Sequence, residues 1–214
     1  RKVGLHSFQT TLSVLAKGDL KLDYGVDWRD IDWVCMRGET IPVDLGEASV
    51  RRMADGADMG KMLIDGEVEA LFSPHPPKSM LAEPDRTRRL FRDARAEELR
   101  YYRKYGFYPI MHIMTLRREL ADAHPALPRQ IMDIWDQAKR LTYNYYDDSN
   151  YSLLAWSRNA YEEQREVLGD DPWPSGLAAN RKNLEQFISY SHDQRLIAEP
   201  IPVESLFHET VLDS

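Results

Sequence analysis

Short apolar runs alternate with helically spaced apolar positions in the first half of the chain. The runs at residues 3–5, 31–35 and 68–72 predict β-strands. Residues 11–24 place apolar side chains every three to four positions and are followed by Gly25, which predicts an amphipathic helix with a glycine stop. Strands and helices that alternate with short loops are typical of an α/β fold with a parallel or mixed sheet.

Three further helices are predicted in this half, at residues 44–54, 59–64 and 94–105. The most apolar segment of the chain follows them, at residues 108–116, and it predicts a buried strand. We therefore expect a boundary at this segment, because the pattern after it is helical only.

The second half of the chain contains three predicted helices. They begin at Pro125, a residue favoured in the first turn, and continue at residues 151–168 and 175–190. Apolar residues of the first of them recur with helical spacing and predict one buried face. That face consists of Leu127, Ile131, Ile134, Trp135, Ala138 and Leu141.

Composition narrows the class of protein. With 214 residues, of which 43% are hydrophobic, the chain can bury about 70% of its unfolded surface, enough for one large domain or two lobes. No stretch approaches the roughly 20 apolar residues of a membrane-spanning helix. Its 28 basic and 35 acidic residues give a formal charge of −7, which argues against a nucleic-acid partner. The one cysteine, Cys35, excludes an internal disulfide.

The chain starts at Arg1, directly before a predicted strand. A strand entered in mid-course leads us to expect that the sequence is the later part of a longer or processed protein. A signal peptide would lie upstream of it.

Three loops follow the predicted strands, at residues 6–11, 36–38 and 73–78. In parallel sheets, ligands bind beyond the carboxyl ends of the strands. The first loop carries hydroxyl groups, including those of Ser7 and Thr10, at a predicted helix start, which suits an anionic group. Simple helix capping by the same hydroxyls is the alternative.

Two other loops offer candidate chemistry. The proline-rich sequence that begins at Ser73 would fix His75 at a strand end, although it could equally be a rigid surface turn. Arg37 could bind a carboxylate through two hydrogen bonds, but an exposed arginine in a polar loop is the commoner case.

His112 lies within the apolar segment 108–116. A neutral imidazole there could act in proton transfer, or it could satisfy a buried hydrogen bond. The six histidines never show a local metal-binding spacing, so no metal is expected, although a site assembled from distant residues stays open. No common catalytic or nucleotide-binding motif occurs.

Five sequence blocks stand in order along the chain. They are L-I-D-G-E-V-E-A-L at 63–71, R-R-L-F at 88–91, E-L-R-Y-Y at 98–102, G-F-Y-P-I-M-H at 106–112 and D-P-W-P-S-G-L-A-A-N at 171–180. Together they resemble the 4,5-dihydroxyphthalate decarboxylase family, whose relatives include substrate-binding proteins of transporters. The resemblance covers almost the whole chain.

The resemblance implies the two-lobed, type II periplasmic-binding-protein-like fold, with the N-terminal part of the first lobe lying before Arg1. Residues 1–107 would form the second α/β lobe and residues 108–116 a strand crossing the hinge. Residues 117–214 would complete the first lobe with helices.

The resemblance also implies an activity, the conversion of 4,5-dihydroxyphthalate or a close relative to protocatechuate and carbon dioxide in the cleft between the lobes. No organic cofactor is expected. His112 and His75 are the expected proton donors. The residues expected to bind substrate are Ser7, Gln9, Thr10, Thr11, Arg37, Ser73 and Tyr108.

A non-catalytic solute-binding protein for a small aromatic or carboxylate ligand is the main alternative, and a biosynthetic enzyme acting on a carboxylated precursor is a weaker one. The expected partner is a small aromatic carboxylate, and the sequence leaves a homo-oligomer open. Cytoplasmic localisation is expected for the enzyme, and a periplasmic one if an upstream signal peptide exists.

Overall fold

The computed structural model describes residues 1–214 and confirms an α/β fold. Four short strands form one sheet in the order β3-β2-β1-β4, and every neighbouring pair is parallel. The strands are β1 (Lys2–Leu5), β2 (Asp32–Cys35), β3 (Val50–Arg52) and β4 (Ala70–Phe72).

Eight α-helices accompany the sheet. They are α1 (Thr11–Tyr24), α2 (Met59–Ile64), α3 (Lys78–Leu81), α4 (Ala94–Tyr105), α5 (Arg118–Ala123), α6 (Leu127–Asp147), α7 (Ser157–Leu168) and α8 (Leu177–Asp193). Four short 3₁₀ turns lie at Trp28–Asp30, Pro84–Arg86, Val203–Leu206 and Glu209–Val211. No helix is long and apolar enough to cross a membrane.

Helix α1 has the bounds that its sequence predicts. The Thr10 side chain accepts a hydrogen bond from the Ser13 backbone N–H at the N-terminus. At the other end Gly25 has φ of 65°, a left-handed conformation that glycine adopts without steric cost. Both signals are local in sequence, which is why the pattern places this helix correctly.

The chain divides into two compact units. The first, called the sheet unit here, comprises Arg1–Ala94 and Gln186–Pro200. The second, called the helical unit, comprises Arg95–Glu185 and Ile201–Ser214. Helix α8 contributes its first part to the helical unit and its last part to the sheet unit. The predicted boundaries at 107 and 116 stay predictions.

Large aromatic side chains form the main core of the sheet unit. Phe8, Trp28 and Trp33 are each no more than 1% exposed. The Phe8 ring lies edge-on to Trp28, at 5.8 Å between ring centroids, and the Trp33 indole N–H donates to the Trp28 carbonyl at 2.8 Å. The indole N–H is therefore satisfied inside an otherwise apolar cluster, as burial requires.

The end of α8 packs against α1 within the sheet unit. Asp193 accepts a hydrogen bond from the Trp28 indole N–H at 2.8 Å and forms an ion pair with Lys21. Gln194 is fully buried and donates to the Val14 carbonyl at 2.8 Å. Residues far apart in the chain thus complete this core.

The helical unit buries much less. No residue of α6 or α7 is buried, and the predicted inner face of α6 is wrong. On that face Ile134 is 66% exposed, Trp135 53% and Leu141 61%. Helical spacing shows that these residues share one face of the helix, but it does not show whether another element packs on that face.

Two predicted elements are also wrong. Residues 108–116 form no strand, and His112, Ile113 and Met114 are exposed. This segment is apolar, but it pairs with none of the four strands, and a strand exists only where a neighbour accepts its hydrogen bonds. Residues 44–54 form strand β3 and turns in place of the predicted helix.

Candidate functional site

Three loops of the sheet unit leave the sheet at the same edge. Leu5 pairs in register with Cys35 and with Phe72, so β1, β2 and β4 end side by side. The loops at 6–10, 36–39 and 73–77 begin directly after these residues. The structure therefore brings together the three loops that the sequence singles out, at the edge where parallel sheets bind ligands.

A carboxylate already lies against the first loop. Glu39 accepts hydrogen bonds from the backbone N–H of Phe8, at 2.5 Å, and from that of Gln9, at 3.1 Å. The Gln9 side chain in turn donates to the Ile41 carbonyl at 2.7 Å. Two adjacent backbone N–H groups before a helix thus bind a carboxylate, and that carboxylate is the protein's own.

One hydroxyl group of the first loop, that of Thr10, is used inside the protein. Thr10 caps α1, with its Oγ1 2.8 Å from Ser13 Oγ. Ser13 Oγ lies 2.7 Å from the Ser7 carbonyl, to which it can donate. Thr11 begins the helix and is half-buried. Capping, the alternative interpretation of this loop, is thus observed for Thr10.

Lys17 lies beneath the first loop and is fully buried. Its amine donates to the Phe8 carbonyl at 2.9 Å and lies 2.8 Å from the centroid of the Phe8 ring. Burial lowers the pKa of Lys17 to about 6, although the charges of Cys35 and Glu39 act in the opposite direction. Both backbone polar groups of Phe8 are therefore bound by side chains: its N–H donates to Glu39, and its carbonyl accepts from Lys17.

Cys35 ends strand β2 next to this group. Burial and the charge of Glu39 together raise the pKa of the Cys35 thiol to about 11, against an opposing effect of Lys17. A buried thiol with such a pKa is protonated at neutral pH, so it is a poor nucleophile.

His6 occupies the first position after β1, and its role was missed from the sequence. Its Nδ1 is buried and has no hydrogen-bond partner among the protein groups. Its carbonyl accepts from the Arg37 backbone N–H at 3.0 Å, which joins the first two loops. A buried ring nitrogen without a protein partner is uncommon in folded proteins, and this one lies at the edge where the three loops begin.

The third loop is shaped by Ser73. Ser73 Oγ donates to the His75 carbonyl at 2.8 Å and accepts from the His75 N–H at 3.4 Å. This side-chain turn leaves the His75 ring exposed. Arg37 is also exposed, so it could reach a ligand only from the solvent side of its loop.

Two of the predicted site residues belong to the helical unit. Tyr108 packs edge-on to Trp173, with 4.7 Å between ring centroids, and its carbonyl accepts from the Asn183 side chain at 2.7 Å. His112 is exposed in an irregular segment. The roles of these residues, like those of the loop residues, stay predictions.

Glu39 and Lys17 are the other functional candidates that sequence reasoning missed. Glu39 lies 31 residues from the peptide it binds, and Lys17 occupies a position on the inner face of α1 where an apolar residue is the usual choice. A lysine on that apolar stripe was the available signal. In the structure no three His, Cys, Asp or Glu side chains come together as a group that could hold a metal ion.

Comparison with known proteins gives a distant relative. No family model matches the chain. A protein of Comamonas testosteroni named 4,5-dihydroxyphthalate decarboxylase is 26% identical over 223 aligned residues, which cover 100% of this chain and 68% of that protein. Similarity at this level supports a distant relationship between the two proteins.

Proposed function

We propose that the protein is a decarboxylase of an aromatic dicarboxylate, with 4,5-dihydroxyphthalate or a close relative as substrate. Support comes from the 26% identity, over the whole of this chain, to 68% of the Comamonas testosteroni protein of that name. It also comes from the loops gathered at the carboxyl edge of the sheet. The substrate would bind at this edge of the sheet unit.

The observation that carries the proposal is the carboxylate held by Phe8 and Gln9. Their backbone N–H groups bind Glu39 in the way that they would bind the carboxylate retained by the product. The substrate would displace Glu39 and take over both hydrogen bonds. Arg37 and Ser73, from the neighbouring loops, would contact the rest of the substrate.

Loss of carbon dioxide breaks the bond between the ring carbon and its carboxylate. The electron pair of that bond stays with the ring carbon, which takes up a proton in place of the carboxylate. His75 and His112 are the proton donors expected from the sequence. His6 joins them because its Nδ1 is buried at the end of β1 without a protein partner.

The decisive experiment incubates the full-length protein, including any segment that precedes Arg1, with 4,5-dihydroxyphthalate and separates the products by liquid chromatography. The expected result is protocatechuate with an equal amount of carbon dioxide. Unchanged substrate that raises the melting temperature would favour the solute-binding alternative, because ligand that binds only the folded state stabilises it. Neither product nor a shift would contradict both functions.

Single substitutions His6→Gln, His75→Gln and His112→Gln then assign the proton donor. We expect loss of the true donor to lower kcat by about 100-fold or more, with a smaller effect on KM. His192→Gln is the matched control, since His192 is exposed and lies outside the three loops. If all three variants keep full turnover, none of these histidines is the donor.

Glu39→Gln tests the binding mode. The amide loses the negative charge that occupies the Phe8 and Gln9 N–H groups, so phthalate, used as a non-reacting dianion, should bind about tenfold more tightly. Glu47→Gln is the control, because Glu47 is exposed elsewhere in the sheet unit. Calorimetric titration measures both, and equal or weaker binding to Glu39→Gln would place the carboxylate elsewhere.

A further inference from the structure

The helical unit contains an open cavity of about 710 Å³ that the proposed decarboxylation does not use. Helices α6 and α7 and the segments that follow them form its wall. Six aromatic residues line it, namely Trp135, Tyr143, Tyr146, Tyr151, Tyr161 and Trp173. A cavity of this size can accommodate a small organic molecule.

Three of these tyrosine rings are in contact, with Tyr146 between the other two. Tyr146 lies edge-on to Tyr151, with 5.8 Å between ring centroids, and 5.7 Å from Tyr161. The guanidinium of Arg165 lies 5.6 Å from the Tyr161 ring centroid, so this ring already interacts with one cation. The faces of aromatic rings carry negative partial charge and attract cations, most strongly where water is excluded.

The only basic residue that lines the cavity, Lys139, has its donors occupied. Its amine contacts Asp171 at 2.7 Å, the Trp173 carbonyl at 2.6 Å and Asp136 at 3.1 Å. An ammonium group has three N–H donors, so none is left over for an anionic ligand. Asp136 and Asp171 do not line the cavity themselves, but with Lys139 they form a cluster of formal charge −1 beside it.

The surrounding sequence also carries more acidic than basic residues. Residues 135–171 carry eight Asp and Glu side chains and four Lys and Arg side chains. Two of the arginines are paired as well, since Arg158 binds Glu162 at 2.6 Å and Arg165 binds Asp170 at 2.7 Å. Burial and the Asp171 carboxylate raise the pKa of Tyr143 to about 12, so this phenol adds no negative charge at neutral pH.

We propose that this cavity is a binding site for a small organic cation, of the quaternary ammonium or protonated arylalkylamine class. The cation would lie among the rings of Tyr146, Tyr151 and Tyr161, and the net negative charge of the cluster formed by Lys139, Asp136 and Asp171 would attract it. This ligand class is opposite in charge to the aromatic carboxylate proposed for the sheet unit. The two proposals can therefore fail separately.

Calorimetric titration of the 214-residue protein with benzyltrimethylammonium tests the proposal. Benzyl alcohol and benzoate serve as neutral and anionic probes with the same ring. We expect saturable binding of the cation, at least about fivefold weaker binding of the alcohol, and still weaker binding of benzoate. Added salt should weaken binding of the cation, because it screens the carboxylates.

Tyrosine variants locate the site. Tyr146→Leu should weaken binding of the cation about fivefold or more, whereas Tyr146→Phe, which keeps the ring face, should retain it. Tyr105→Leu is the matched control, because Tyr105 packs on Tyr101 and Phe107 and does not line the cavity. Far-UV circular dichroism checks that each variant is folded.

Three results would overturn the proposal. They are benzoate binding as tightly as the cation, unchanged binding of the cation to folded Tyr146→Leu, and no heat of binding up to about 10 mM cation, a concentration at which even weak sites fill. If Tyr146→Leu fails to fold, the comparison of the cationic, neutral and anionic probes on the wild type still tests the proposal.

Discussion

The sheet unit and the helical unit use the same residue types in opposite ways. Trp28 and Trp33 of the sheet unit are no more than 1% exposed, whereas Trp135 and Trp156 of the helical unit are 53% and 78% exposed. All three hydrophobic core clusters lie in the sheet unit. The two tryptophans of the sheet unit therefore stabilise its core, while Trp135 and Trp156 of the helical unit are accessible to a ligand or another surface.

The strongest way to test this contrast is to remove one tryptophan from each unit. Trp33→Ala should lower the free energy of unfolding by about 3–5 kcal/mol, because it leaves a large cavity in a closed core. Trp135→Ala should lower it by less than about 0.5 kcal/mol, as is usual for an exposed side chain. Urea unfolding followed by circular dichroism measures both, and equal losses would contradict the contrast.

A polar contact sharpens the comparison. Asp193→Ala removes the acceptor of the Trp28 indole N–H and the partner of Lys21, so we expect a loss of about 2 kcal/mol. The control in the helical unit is Glu162→Ala, which removes an exposed ion pair with Arg158 and should cost at most about 0.5 kcal/mol. If the two variants unfold at the same urea concentration, burial of Trp28 does not depend on Asp193.

The buried amine of Lys17 should make the stability of the sheet unit depend on pH. Because its pKa in the folded protein is about 6, below the value of the unfolded chain, the unfolded state binds more protons between pH 6 and about pH 10. The penalty for burying Lys17 is greatest below pH 6 and shrinks as pH rises through this window. Stability of the wild type should therefore rise relative to Lys17→Met by up to about 1.4 kcal/mol per pH unit.

Urea unfolding of the wild type and of Lys17→Met at about pH 6.5, 7.5 and 8.5 measures how the difference in their free energies of unfolding changes with pH. Lys61→Met is the control, since the Lys61 side chain is 70% exposed. A pH-independent difference between wild type and Lys17→Met would mean that Lys17 stays charged when folded.

Local signals in the sequence predicted helices α1, α2 and α4 with their observed bounds. Thr10 and Gly25 determine the ends of α1, and Gly106 ends α4 as predicted. The α/β class followed from strands and helices alternating in the first half. These features depend on residues within a few positions of one another, which a periodic pattern captures.

The failures involve partners distant in sequence. Residues 108–116 have the composition of a strand, but no strand pairs with them. Glu39 fills the anion-binding N–H groups of the first loop from 31 residues away. Side-chain type predicts what a residue can do, whereas its actual partner is decided by how the chain folds back.

The contact of Gln194 with Val14 has a consequence for how the protein is made. These residues are 180 positions apart, yet both lie in the sheet unit. During synthesis from the N-terminus, strands β1 to β4 leave the ribosome long before the end of α8 can pack on α1. Until α8 is complete, the part of the core that it covers stays exposed, and exposed apolar surface of this kind favours aggregation unless a chaperone binds it.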